Sequence, residues 1–347
     1  MTIPAIAAVG TAVPGNPVGQ EDIRNFAAAL FREGVPHLER LMPVFQNASI
    51  EARYLAQPLD WYATQHNFSE ANALYEKIAF ALSEEAAIAA LDKADIEPGR
   101  IGAVLFVSST GIATPTLDSK LIQTLGLSNH AIRLPIWGLG CAGGVSGIAR
   151  AAELAALTEQ AVLLIAVELC SLTFQRNDFS KSNLVGSSIF GDGAAAVVLA
   201  PERRGPVVLG SYSTLFPETE DIMGWDMSET GLKVRFSRDI PAIVHEHLPA
   251  LLKQACAHWG IQQNEIRHFI AHPGGAKVLS AYSDSLELAP QQLSSAYQVL
   301  REYGNMSSAS VLFVLKQFMA ENPPTGDYGV MLALGPGFSA EQVLFRW

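Results

Sequence analysis

The sequence predicts an α/β protein, layered and internally duplicated, with its sheets buried between helices. Three observations carry this. Strand and helix patterns alternate along both halves of the chain. The strand patterns are unbroken apolar runs, which mark sheets covered on both faces. The chain has 347 residues, too many for one small core, and divides into halves of comparable size at residues 1–200 and 201–347.

In the first half, Ala5 to Ala12 reads as a short apolar strand that stops at the Pro14-Gly15 turn. Gln20 to Met42 has helical spacing, with Ile23, Phe26, Ala27, Leu30 and Phe31 on one face. Ala71 to Ala94 reads as a long helix, ended by Glu97-Pro98-Gly99. Ile101 to Ser108 is a buried strand pattern running into the polar loop SSTGIATP, and Pro115 to Leu125 opens a further helix. An apolar run, Leu134 to Leu139, ends in a glycine turn that carries Cys141 into an Ala-rich helix. Ala161 to Glu168 is the next strand, Leu172 to Leu184 a polar loop, and Phe190-Gly191-Asp192-Gly193 leads into the strand Ala194 to Ala200. The charged, proline-flanked stretch Pro201 to Pro206 marks the expected boundary.

The second half repeats the style. Val207 to Thr214 is a strand, Pro217 to Glu229 an acidic loop, and Pro241 to Trp259 a helix. Strand Ile266 to Ala271 ends in His272-Pro273-Gly274-Gly275. Helices follow over Gly275 to Leu286, Pro290 to Tyr303 and Ser308 to Glu321, with Gly304-Asn305 between the last two. Strands Gly329 to Leu334 and Gln342 to Arg346 close the chain around Gly335-Pro336-Gly337.

Composition narrows the function. Hydrophobic residues are 49% and charged residues 16%, as in a well-buried globular protein. The net charge of −11 argues against nucleic-acid binding, and an anionic substrate would need a local Arg/Lys cluster against that field. The three cysteines, Cys141, Cys170 and Cys256, form no CxxC pair, which points to a reduced, cytoplasmic protein. The first residues carry no basic stretch typical of a signal peptide, and no apolar run reaches the roughly 18 residues of a membrane span. No metal or cofactor motif stands out.

Chemistry concentrates at three glycine-flanked positions. Cys141 sits where a turn enters a helix, beside unpaired N–H groups and the positive end of the helix dipole. A thiol placed there is expected to ionise more easily than a free cysteine. A buried, inert packing cysteine is the plain alternative. His272 stands at a strand end beside glycines, where an ordinary loop histidine is the alternative. Asn305 precedes a helix, where it also suits an N-cap. Together the three form a coherent acyl-transfer site: a nucleophile, an imidazole partner and two neutral donors for a developing oxyanion.

The segments GLGCAGG, FGDGAAA, AHPGG, YGNMSSAS and GPGF, in this order, resemble the type III polyketide synthases, the chalcone synthase-like branch of the thiolase superfamily. The resemblance runs from Ala5 to Trp347. SSTGIATP, IWGLGCAGG and ELCSLTFQ look like the bacterial members that make alkylpyrones from fatty acyl-CoA. The resemblance implies a thiolase-like five-layered αβαβα fold and a homodimer, with no cofactor beyond the CoA thioesters themselves as substrates. It implies that Cys141 takes the starter acyl group, and that His272 and Asn305 bind malonyl thioester and promote its decarboxylation. It further implies a gate at Phe174, a site-lining loop at Gly335, Pro336 and Gly337, and a residue that crosses the dimer at Thr114.

Two departures imply a roomier cavity and a fatty acyl starter. Val234 stands where a gate phenylalanine is usual, with Phe236 two positions on, and Thr114 stands where plant members carry Met. The basic cluster for CoA phosphates thins to Arg40 and Arg53, its other positions reading as Pro43 and Asn47. The competing readings are a β-ketoacyl-ACP synthase III-like enzyme, whose HQAN-like and NTSAA-like segments this chain lacks, and a non-catalytic thiolase-fold partner.

Overall fold

The computed structural model describes residues 3–15, 17–32, 34–201 and 205–347. The first half contains strands β1 (Ala5–Ala12), β2 (Pro17–Gly19), β3 (Ala52–Tyr54), β4 (Ile101–Val107), β5 (Ile132–Ile136), β6 (Ala161–Leu169) and β7 (Asp192–Ala200). Its helices are α1 (Gln20–Phe31), α2 (Pro43–Gln46), α3 (Leu59–Tyr62), α4 (Phe68–Ala94), α5 (Asp118–Thr124), α6 (Gly143–Thr158) and α7 (Lys181–Ile189). The second half contains β8 (Val207–Leu215), β9 (Met223–Ser228), β10 (Gly231–Phe236), β11 (Ile266–Ala271), β12 (Tyr328–Gly335) and β13 (Ser339–Arg346). Its helices are α8 (Ile240–Trp259), α9 (Ala276–Leu286), α10 (Ser294–Tyr303) and α11 (Ser310–Glu321). The expected boundary at Pro201 to Pro206 falls partly on residues 202–204, which lie outside the described residues.

Nine strands pair in the order β11-β12-β13-β8-β1-β7-β6-β4-β5. Among the described residues β1 meets β8 at the Ala5–Val207 pair, flanked by bonds from the Ile6 N–H to Pro206 and the Val208 N–H to Pro4, so two sheets join at one corner. Their pairing repeats. β1 is antiparallel to β7, β7 to β6, and β6 runs parallel to β4. In the same way β8 is antiparallel to β13, β13 to β12, and β12 runs parallel to β11. α4 covers the outer face of β1, β7 and β6, while α6 and α11 lie between the sheets. α8 packs on β8 from the far side, with α9 beside it. The result is five layers, helix-sheet-helix-sheet-helix.

This layering explains the unbroken apolar strands. All nine residues of β6 and of β7 are buried, because each strand has helices on both faces. α4 approaches its sheet through Ala79, Ala86 and Ala90, and a Cβ at Gly10 of β1 would lie 2.2 Å from the Ala86 carbonyl oxygen. Only glycine permits that approach.

Several expected elements differ. The helix expected over Gln20 to Met42 ends at Phe31 and resumes as a short turn and α2, because Gly34 and Pro36 interrupt it. α4 begins three residues early, where Asn67 and Glu70 form a capping box. The loop expected over Leu172 to Leu184 already contains the start of α7, capped by Ser180. The acidic loop expected over Pro217 to Glu229 contains β9, which pairs with β10 as a two-stranded hairpin. Glu218, Glu220, Asp221 and Glu229 flank the strand and Asp226 lies exposed within it, while Met223 and Trp225 face inward.

Candidate active site

Cys141, His272 and Asn305 converge because the two halves place their strand ends at the central helical layer. After β5, Gly138 (φ 92°) and Gly140 (φ 47°) reverse the chain in conformations that favour glycine, and a short 3-10 turn carries Cys141 into α6. A Cβ at Gly144 would lie 2.2 Å from the Ser308 carbonyl oxygen. This glycine lets the start of α6 press against the segment just after Asn305. The Asn305 backbone is clamped in turn, its N–H donating to the Ile189 carbonyl at 2.8 Å and its carbonyl accepting from Gly191 at 3.0 Å. His272 continues β11, its N–H donating to the Leu332 carbonyl at 2.9 Å. Cys141 and His272 therefore follow the carboxyl ends of parallel strands, where α/β sheets hold their sites.

The Cys141 Sγ lies 4.0 Å from Asn305 Oδ1. Asn305 Oδ1 accepts from the Ser307 N–H at 2.8 Å, and its Nδ2 donates to the Gly274 carbonyl at 3.2 Å. These two bonds fix the amide and leave one Nδ2–H for a ligand. Asn305 thus fills the cap-like role expected of it and still faces the cysteine. Among the described residues neither ring nitrogen of His272 finds a hydrogen-bond partner, although the residue is buried. All three side chains line one cavity of about 460 Å3.

The electrostatics reverse one expectation. Burial pushes the Cys141 thiol up to about 11, and hydrogen bonding from Ser307 and Asn305 offsets only part of that push. Burial also lowers His272 to about 3. Both shifts favour a thiol beside a neutral imidazole in the resting site.

A carboxylate that the sequence did not single out lies behind the cysteine. Glu168, fully buried at the end of β6, accepts from the Ser109 N–H and the Thr110 hydroxyl, both at 2.9 Å, and from the Ser308 hydroxyl at 2.6 Å. Burial lifts its pKa to about 7 despite these bonds. It ties β4, β6 and the segment after Asn305 into one support.

Other expected site residues fall in different places. Arg40 lines the cavity and is exposed. Arg53 does not line it: the side chain is 1% exposed, donates to the Phe190 carbonyl at 2.7 Å and lies near Asp192, so it is a structural arginine and no surface phosphate reaches it. Phe174 packs edge-on against Phe31 and Tyr62, at an apolar pocket of about 60 Å3 between α1 and α7, away from Cys141. Val234 lines that same small pocket against Phe190, whereas Phe236 lines the Cys141 cavity and packs on Phe190 at 5.5 Å.

Gly335 and Pro336 buttress the turn that carries Cys141, Gly337 lies against Leu215, and none of the three lines the cavity. A Cβ at Gly335 would lie 2.4 Å from the Leu139 carbonyl oxygen, and Pro336 packs on Gly140. Thr114 is exposed and outside the cavity within one chain. The sequence reading missed Lys181, Arg238 and Lys277, three exposed cations that line the cavity with Arg40. They come from separate elements, and a basic residue opening a helix was the only signal.

Comparison with known proteins agrees with this architecture. Residues 3–202 match the family model described as chalcone and stilbene synthases, N-terminal domain, and residues 208–347 match the corresponding C-terminal domain. The chain is 40% identical over 351 residues to 1,3,6,8-tetrahydroxynaphthalene synthase of Streptomyces peucetius subsp. caesius, covering 99% of this chain and 93% of that protein. It is 32% identical over 360 residues to 3,5-dihydroxyphenylacetyl-CoA synthase of Streptomyces toyocaensis, covering 99% and 90%. The crystal structure of 1,3,6,8-tetrahydroxynaphthalene synthase from Streptomyces coelicolor A3(2) superposes with a TM-score of 0.93 at 30% identity, covering 99% of both chains. With both family domains matched and the five layers shared with solved relatives, the chain belongs to the chalcone and stilbene synthases, the type III polyketide synthases, condensing acyltransferases of the thiolase fold.

Proposed function

We propose that this enzyme loads a medium- to long-chain fatty acyl group from acyl-CoA onto Cys141, extends it by decarboxylative condensation with malonyl-CoA, and cyclises the product to an alkylpyrone or alkylresorcinol. The observation that carries this is the single cavity that joins Cys141, His272 and Asn305 to an exposed cationic mouth. Its volume of about 460 Å3 falls in the range of ~300–1,000 Å3 usual for ligand sites. Arg40, Lys181, Arg238 and Lys277 supply the local positive cluster that CoA phosphates need against a net charge of −11.

The neutral His272 N–H and the free Asn305 N–H suit a malonyl thioester oxygen that becomes an enolate as carbon dioxide leaves. The same neutral imidazole accepts the Cys141 proton as the thiol attacks the starter. Between mouth and cysteine the walls are apolar, including Val44, Leu184, Ile189 and Met223. Each methylene buried there adds ~0.8 kcal/mol to binding, which favours a fatty acyl starter over a compact one.

A homodimer completes the reading. β5 is the outer edge of the sheet, and Ile132, Leu134 and Trp137 on or next to it are 45%, 37% and 54% exposed. An apolar unpaired edge of this kind invites a second copy. Ile112, 40% exposed, continues the patch toward Thr114, so pairing there carries each Thr114 to its neighbour's site.

Product analysis by mass spectrometry over a series of acyl-CoA starters tests the proposal. Alkylpyrones or alkylresorcinols with a preference for longer starters are expected. Efficient conversion of malonyl-CoA alone to 1,3,6,8-tetrahydroxynaphthalene or phloroglucinol, the products named for relatives, would overturn the starter assignment. Extension from malonyl-ACP and not malonyl-CoA would favour the synthase III-like reading.

A further inference from the structure

We propose that Tyr282 donates its hydroxyl to the carbonyl oxygen of the acyl group on Cys141, as a catalytic residue of acyl transfer. The inference rests on the reading of Cys141 as the acyl carrier. Tyr282 lies on α9, is 1% exposed, and lines the cavity of Cys141, His272 and Asn305. Among the described residues its hydroxyl finds no hydrogen-bond partner, and neither does either ring nitrogen of His272 in the same cavity. Its charged form feels the charge on Cys141, which places the phenol in the electrostatic field of the nucleophile.

The helix explains the aim. Val278 and Tyr282 are one turn apart on the same face of α9, and both line the cavity. A long side chain on a helix points back toward the N-terminus. The N-terminus of α9 follows directly from His272-Pro273-Gly274-Gly275, so the ring reaches back toward the catalytic end. A phenylalanine would fill the same space without leaving a buried hydroxyl unbonded. Burial raises the phenol's pKa, so the group remains a neutral donor throughout.

The reaction needs such a donor. His272 and Asn305 serve the malonyl oxygen, and a second oxyanion forms on the acyl carbonyl. In loading, the Sγ–acyl bond forms as the acyl–CoA sulfur bond breaks. The thiol proton passes to His272 and leaves with the CoA thiol. The acyl oxygen carries negative charge only between those events, while Tyr282 keeps its proton and donates to it.

The test is Tyr282→Phe in the full-length enzyme, with octanoyl-CoA as acyl donor and S-acylation read by intact-protein mass. Acylation should slow about 100-fold, the usual effect of losing one oxyanion donor. Alkylation of Cys141 by iodoacetamide passes through no carbonyl oxyanion and should stay within about twofold of wild type. The melting temperature should hold or rise. As a packing control, Leu279→Val changes the same helix at a residue away from the cavity. It should lower the melting temperature and leave acylation within a few-fold. Acylation of Tyr282→Phe at the wild-type rate would overturn the proposal, as would acylation and alkylation falling together. If the wild type itself is not acylated by any acyl-CoA, the acyl-carrier reading fails first and the role of Tyr282 with it.

Discussion

Glu168→Gln isolates the cost of a buried carboxylate behind the nucleophile. In the folded protein the carboxyl titrates at about 7, against an ordinary value of 4.5, and burial is the largest cause. A raised folded pKa means that the native state binds the proton more tightly than the unfolded chain. Stability from this group is therefore full below about 4.5 and is lost as the pH rises through 7. The separation corresponds to about 3 kcal/mol at ~1.36 kcal/mol per pH unit.

Glutamine keeps most of these bonds: its Oε1 accepts from the Ser109 N–H and the Thr110 hydroxyl, and its Nε2 donates to Ser308 Oγ, whose hydroxyl rotates, while the Ser308 N–H loses its acceptor. At pH 5 the variant should be the less stable, by about 1 kcal/mol for the unpaired Ser308 N–H. Between pH 5 and pH 8.5 the difference should move in the variant's favour by up to about 3 kcal/mol, or several degrees, leaving the variant the more stable at the higher pH. Asp192, raised to about 6 by burial, shifts both proteins alike and cancels in the difference. Because Glu168 also raises the Cys141 pKa, the variant should be alkylated faster by iodoacetamide at pH 8.5. Calorimetry at the two pH values decides the matter. A variant less stable than wild type at pH 8.5, or a difference that ignores pH, would refute the reasoning.

Three further outcomes are expected. The iodoacetamide rate at Cys141 should climb with pH beyond 9, because burial holds the thiol near 11; a plateau below pH 8 would show that an ion pair with His272 wins after all. Gly335→Ala should force a Cβ to within 2.4 Å of the Leu139 carbonyl oxygen, destabilise the protein by about 1–3 kcal/mol and slow acylation of Cys141, measured together by melting and intact mass. Arg238→Ala and Lys277→Ala should raise KM for acyl-CoA several-fold while leaving turnover of N-acetylcysteamine thioesters, which lack the nucleotide phosphates, unchanged; equal effects on both substrate types would remove these residues from CoA binding.

The sequence made the site's centre legible because chain reversals need glycines, and Cys141, His272 and Asn305 each stand beside one. Unbroken apolar runs made the buried sheets legible for the same physical reason that layers bury both faces. Other features depend on contacts between distant residues. Arg53 looks like any surface cation until Phe190 and Asp192, some 140 positions later, surround it. The cationic mouth draws on four elements, and no single stretch is basic. Val234 and Phe236 share one face of β10, so their two-residue spacing left open which of them reaches the cavity; the hairpin with β9 settles it in favour of Phe236. The Cys141 thiol shifts opposite to the expectation because a helix start is visible in sequence and the burial of its surroundings is not.

That burial links the parts of the site into one argument. Burial makes the thiol harder to ionise and disfavours the charged form of His272. The same low-dielectric surroundings strengthen each hydrogen bond to a charge that appears during reaction. On the proposed reading, a cationic histidine would already bind the substrate carboxylate in the ground state and gain little as the enolate forms. A neutral N–H beside the neutral Asn305 amide binds more tightly as charge develops, and only such differential binding lowers the barrier. The five-layered duplication makes this possible. It brings the carboxyl end of a strand from each sheet to one interior point, and the glycines at 140, 144 and 335 let three backbones meet there without side chains between them.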